Sequence, residues 1–230
     1  MLKIKQNTLL GGTQDVKFLR VPDFIEEVKT EAFSNHPELQ EVVFGVKDVV
    51  IGEGAFSYCF TLRNVIFPEW VFEIGKRAFA FCCSLTEVKV PKGIRALAEG
   101  MFYCCTSLKK VVLPEGLEEV GSCAFIENYA LTKIKFPKSL KTIGETAFST
   151  CTLLEEADLP DGLVTLGPGA FKGCSSLVEI KIPSSVTSIP IGAFTNCSKL
   201  GHSFVPAGTF MFLPSSFCSL LLFLPCCALP

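Results

Sequence analysis

With 21 Lys and Arg against 23 Asp and Glu, this 230-residue chain carries a formal charge of −2. That excludes the strong positive field by which a protein collects on nucleic acid or on an anionic membrane surface. Hydrophobic residues make up 49% of the chain, 21 of them Phe, which is ample for a continuous core.

In chain order, residues Met1 to Thr8 include Lys3 and Lys5 and lack the apolar run of a secretory signal. Leu19, Val21, Pro22, Ile25 and Val28 then follow, in degenerate form, a spacing that is clearer downstream. Residues 1–32 therefore read as an N-terminal cap, with Gln14, Asp15, Lys17 and Arg20 expected to cover the open end of the core. From Phe33 the period is strict: Phe33, Phe56, Phe79, Phe102, Phe125, Phe148, Phe171 and Phe194 lie 23 residues apart. Each is followed six positions on by Leu (Leu39, Leu62, Leu85, Leu108, Leu131, Leu154, Leu177, Leu200). Apolar residues recur nine and eleven positions after the Phe in most units, as in Val88 and Val90 or Ile180 and Ile182. That alternation is the period of a strand with one face buried. A proline ends most of these strands, from Pro68 to Pro206, because it lacks an amide donor. A second apolar pair, such as Leu140 and Ile143, leads to Gly52, Gly75, Gly121, Gly144 or Gly167, where a positive φ is expected. Gly45 replaces proline in the first full unit, which is expected to be the least regular.

These residues resemble the BspA-type leucine-rich repeats, whose units read roughly L-x-x-I-x-I-P-x-x-V-x-x-I-G-x-x-A-F-x-x-C. Leu177-Val-Glu-Ile-Lys-Ile-Pro-Ser-Ser-Val-Thr-Ser-Ile189, completed by Ala193, Phe194 and Cys197, carries most of that motif, and the likeness runs from Leu19 to Pro206. The resemblance implies a right-handed leucine-rich-repeat solenoid: a concave parallel β-sheet of short strands, with turns or short helices on the convex side. It also implies protein recognition, often at cell surfaces, and no catalytic residue. Residues 33–206 would hold about eight 23-residue repeats.

Stacked coils place equivalent side chains about 4.8 Å apart, so the eight Phe are expected to form one aromatic spine. Three residues after the Phe stand Cys59, Cys82, Cys105, Cys151, Cys174 and Cys197, with His36 and Asn128 in their place in two units. A ladder gives each Cys two equal neighbours and so no encoded disulfide partner. Buried free thiols are the preferred reading, and they favour a reducing, cytoplasmic compartment, with a cell surface as the alternative. Without a C-x-x-C pair, and with only His36 and His202, no metal or other cofactor is expected. Two isolated His and dispersed Gly also offer no catalytic constellation.

Recognition should lie on the concave positions between the inward residues. Lys89, Lys92, Lys109, Lys110, Lys133, Lys135 and Lys138 form a basic patch, and Glu155, Glu156, Asp158 and Asp161 an acidic one. Facing pairs such as Lys133 and Glu156, Lys135 and Asp158, or Lys138 and Asp161 can simply set the register. Alternatively, the dipolar surface steers a protein partner. Val43, Ile66, Trp70 and Phe72 compose an apolar hot-spot candidate, unless Trp70 folds back as a cap. Tyr58, Phe81 and Tyr103 are expected to pack between turns on the convex side.

Residues 207–230 change character. From Gly201 onward the chain holds no Lys, Arg, Asp or Glu. Residues 209–230 approach the length of a membrane span, although Pro214 and Pro225 disfavour a regular helix. A decayed ninth unit, with Phe217 placed 23 residues after Phe194, a membrane anchor, and an artefact of the recorded sequence are the three readings. The chain thus reads as a non-enzymatic scaffold for an unidentified protein partner. A membrane-attached surface adhesin and a purely structural spacer are the alternatives. Nucleic acid is not an expected partner, membrane contact is expected only through the tail, and oligomeric state is left open.

Overall fold

The computed structural model describes the backbone of residues 1–46, 48–69, 71–204 and 210–211, and side chains through residue 201. It opens with a hairpin of β1 (Lys3–Lys5) and β2 (Thr8–Gly11). Each coil then supplies two short strands. The first coils give β3 (Phe18–Arg20) and β4 (Glu27–Val28), β5 (Glu41–Val43) and β6 (Val50–Ile51), then β7 (Asn64–Ile66) and β8 (Glu73–Ile74). The central coils give β9 (Glu87–Lys89) and β10 (Ala96–Leu97), β11 (Lys110–Val112) and β12 (Glu119–Val120), then β13 (Lys133–Lys135) and β14 (Thr142–Ile143). The last give β15 (Glu156–Asp158) and β16 (Thr165–Leu166), β17 (Glu179–Lys181) and β18 (Ser188–Ile189), then β19 (His202–Phe204) and β20 (Phe210–Met211).

Odd-numbered strands from β3 stack into a first ladder, and even-numbered strands from β2 into a second. All pairs except β1 with β2 are parallel. Register keeps the repeat period, with Val42 opposite Val65 and Ile51 opposite Ile74. Gly45 leaves β5 in register with both neighbours, so the first unit is as regular as the rest in its strands. Among the described residues the remainder of each coil is turn, with no helix.

The expected spine is present. Successive Phe rings stack with centroids 5.2–5.9 Å apart and planes within 15°. The Leu and Val of each first-ladder strand bury against them. Tyr58 stacks on Phe81 at 4.5 Å, and Phe81 meets Tyr103 edge-on at 5.1 Å, so these rings pack between turns as expected.

Two expectations change. Gly52, Gly75, Gly121, Gly144 and Gly167 do not take positive φ; their reason is close approach. A Cβ at Gly144 would stand 2.5 Å from the Ser122 amide nitrogen, and one at Gly121 2.4 Å from the Leu97 carbonyl oxygen, which is inside van der Waals contact. Positive φ falls instead in the turns, on non-glycines such as Tyr58, Phe81, Cys104 and Thr150. The end of the core is covered by apolar residues: Leu9 is buried, and Leu2 and Val16 are half-buried against the core, while Gln14, Asp15, Lys17 and Arg20 are exposed. At the other end, β19 and β20 extend both ladders, with Ser188 opposite Phe210. The rest of the apolar tail lies outside the described residues.

Candidate recognition face and thiol ladder

The repeated Cys has a specific task. Each Sγ donates to the carbonyl oxygen of the Phe one coil earlier: Cys59 to Phe33, Cys82 to Phe56, Cys105 to Phe79, Cys151 to Phe125, Cys174 to Phe148 and Cys197 to Phe171, at 3.1–3.3 Å. Buried carbonyls require a donor, and a thiol supplies one in a volume that suits the core. Asn128 takes over that role, its Nδ2 donating to Phe102 at 2.8 Å, which leaves its buried Oδ1 without a partner. His36 is buried beside Phe33, its ring nitrogens 3.2 and 3.4 Å from the Ser34 and Gly12 carbonyls. Burial pushes the thiols of Cys59 and Cys151 up to about 12, and those of Cys82, Cys105 and Cys174 are raised as well. Thiols held protonated are poor nucleophiles and poor metal ligands. All nine described Cys are free.

On the outward side of the first ladder, charge pairing follows the 23-residue offset. Lys110 Nζ lies 2.6 Å from Glu87 Oε1, and Lys92 pairs with Glu69 and Lys133 with Glu156. Lys92 holds the Glu69 carboxyl below its ordinary pKa, and Glu156 raises that of Lys133. Of the three facing pairs anticipated, only Lys133 with Glu156 forms an ion pair. Lys135 sits in register with Asp158, yet among the described residues Lys89, Lys109, Lys135 and Lys138 make no ion pair. The pairings of Lys92 and Lys110 went unforeseen, although the same offset joins Glu69 to Lys92 and Glu87 to Lys110. These contacts are exposed, so water and salt screen them and they add little to stability.

Two grooves cut this face. One, of about 560 Å³, lies between β7 and β9 and is lined by Asn64, Ile66, Phe67, Glu69, Lys89 and Lys92 among others. Here the ladder is interrupted, since β7 pairs with β5 and β9 with β11. The groove joins Ile66, 47% exposed, to the edge of the basic patch. The other, of about 570 Å³, lies between β15 and β17 and gathers Glu155, Glu156, Asp158, Val178, Glu179 and Lys181. Glu156 faces Glu179 in register there, and like charges directly opposite weaken pairing. Asp161 is exposed outside this lining.

The apolar candidate is divided. Val43 is half-buried, and Phe72, 72% exposed, precedes β8 on the second ladder and does not line the groove. Trp70 lies outside the described residues. No sequence signal announced the groove itself.

The model for the BspA type leucine-rich repeat region matches six copies over residues 3–129 and 124–220. The chain belongs to the BspA-type leucine-rich repeat family. Among solved structures, this repeat protein is similar to a leucine-rich repeat protein of T. pallidum, with 26% identity over 77% of this chain and 87% of that one and a TM-score of 0.69. It is also similar to a leucine-rich repeat protein from Bacteroides ovatus, with 22% identity, coverage of 93% and 65%, and the same TM-score of 0.69. The pneumococcal vaccine antigen PcpA shares the fold at 18% identity, with coverage of 86% and 74% and a TM-score of 0.53. No curated protein matches this chain. Among the described residues, no helix is long and apolar enough to cross a membrane, and no group of three or more His, Cys, Asp or Glu is arranged to hold a metal ion.

Proposed function

We propose that this BspA-type repeat chain is a non-enzymatic scaffold that binds a protein partner through the first-ladder face, with the groove between β7 and β9 at its centre. The observation that carries this reading is the junction of exposed Ile66 with Lys89, a cation that makes no ion pair among the described residues. An apolar anchor beside an unpaired charge is the composition of an interface hot spot. A non-enzymatic role is supported by what the candidate reactive groups already do. The ladder thiols are spent on Phe carbonyls, and the acidic groove is open to water, which leaves its carboxylates screened.

A cell-surface location is the better-supported placement. The cytoplasmic expectation rested on first residues without an apolar run and on free thiols, but thiols that are buried, protonated and hydrogen-bonded resist oxidation in either compartment. Membership of the BspA-type family favours the surface.

The test is a photo-reactive side chain placed at Lys89 in the full chain, compared with one at Glu119 on the second ladder, each exposed to whole cells and extracellular proteins of the source. Partner adducts confined to the Lys89 probe, and lost with Ile66→Asp, support the reading. Equal labelling from both positions would reduce the face to a spacer surface.

A further inference from the structure

The three described thiols outside the ladder are Cys83, Cys104 and Cys123, all half-buried. Two of them belong to Cys doublets, Cys82-Cys83 and Cys104-Cys105, in which the ladder member is buried and its neighbour reaches the surface. The coils are held side by side at this level, since the Phe81 amide donates to the Tyr103 carbonyl at 2.7 Å. Cys83 Sγ consequently donates to the Cys104 carbonyl oxygen across adjacent coils at 3.5 Å. Cys104 Sγ in turn donates to Glu127 Oε2 at 3.6 Å, whereas Cys123 is turned to the Thr146 hydroxyl one coil further on.

We propose that Cys83 and Cys104 are a redox-sensitive pair that closes to a disulfide by exchange with a small-molecule disulfide such as oxidised glutathione. The Cys83 sulfur attacks one sulfur of the external disulfide, forming a mixed disulfide and releasing one small thiol. The Cys104 sulfur then attacks the Cys83 sulfur, its proton passing by way of the Glu127 carboxylate to the departing small thiolate, so that the second small thiol leaves. Two protein thiols are oxidised and the external disulfide is reduced to two thiols, so no other oxidant is needed. Cys104 Sγ is already hydrogen-bonded to the Glu127 carboxylate, and burial, with the neighbouring Cys83 and Glu127, pushes its thiol up to about 11; the carboxylate is placed to take its proton, so the resolving step is assigned to Cys104. The bridge fastens the turn ahead of β9 to the turn ahead of β11, two strands that already pair, on one side of the β7/β9 groove. It therefore stiffens one wall of that groove without depending on what the groove binds.

The test uses the reduced full chain incubated with oxidised glutathione, then mapped by mass spectrometry under denaturing, non-reducing conditions. The expected product has lost two hydrogens and carries no adduct at this pair, melts several degrees higher than the reduced chain, and returns to it with reductant. Cys104→Ser should trap a glutathione adduct on Cys83, and Cys83→Ser should abolish the link, which separates it from a bridge between the ladder thiols Cys82 and Cys105. A link that survives Cys83→Ser, a stable adduct on Cys83 in the unsubstituted chain, or no reaction at either thiol would each overturn the proposal.

Discussion

The grooves between β7 and β9 and between β15 and β17 have almost the same volume, yet opposite character. In the first, Ile66 and Lys89 occupy equivalent positions in neighbouring coils; in the second, Glu156 and Glu179 face each other. The repeat thus holds the inward positions constant while the outward ones vary freely. Inward side chains meet their own kind one coil away, so a change there damages two interfaces. An outward side chain meets water and few, exposed partners, so local chemistry changes at little expense to the fold.

The largest effect is expected from cutting the core that both grooves share. Phe125→Ala should cost about 3–5 kcal/mol and split urea unfolding into two phases, because each coil couples only to its neighbours. A single transition with an unchanged midpoint would contradict the continuous spine. Next comes the thiol ladder. Cys105→Ala leaves the Phe79 carbonyl without its donor and should cost about 1–3 kcal/mol. The reverse change, Asn128→Cys, should stabilise by about 1 kcal/mol, since it keeps the bond to Phe102 and removes a buried oxygen that has no partner. Thermal melts of both variants check the pair.

The spine and both ladders are legible in the amino-acid sequence, because a 23-residue period states which positions are equivalent. The thiol bonds are not. They connect residues 26 apart, from the Cys of one coil to the Phe of the coil before, and a backbone carbonyl leaves no mark in a sequence.

Smaller effects separate the two grooves from each other. Glu179→Lys places opposite charges across β15 and β17 and should stabilise by about 0.2–1 kcal/mol, a gain that fades in high salt. The smallest expected effect concerns Glu69. Its carboxyl is held below the ordinary value by Lys92, so the pair's contribution is complete above pH 4.5 and is lost as pH falls through the depressed value. Lys92→Ala should therefore differ slightly from the parent at pH 7 and converge with it in acid; a difference that persists at low pH would assign the effect to packing.

The order of residues alone dictates the repeat, its buried positions, the Phe stack and the outward location of every charge, because a strand's alternation and a fixed period are local properties. Stacking decides the rest: which lysines meet an acid, why Gly144 tolerates no side chain, which Cys serve the core and which two approach each other at the surface, and where the first ladder parts. Those are relations between coils, set by backbones a few ångströms apart whose turns are threaded through residues one period away.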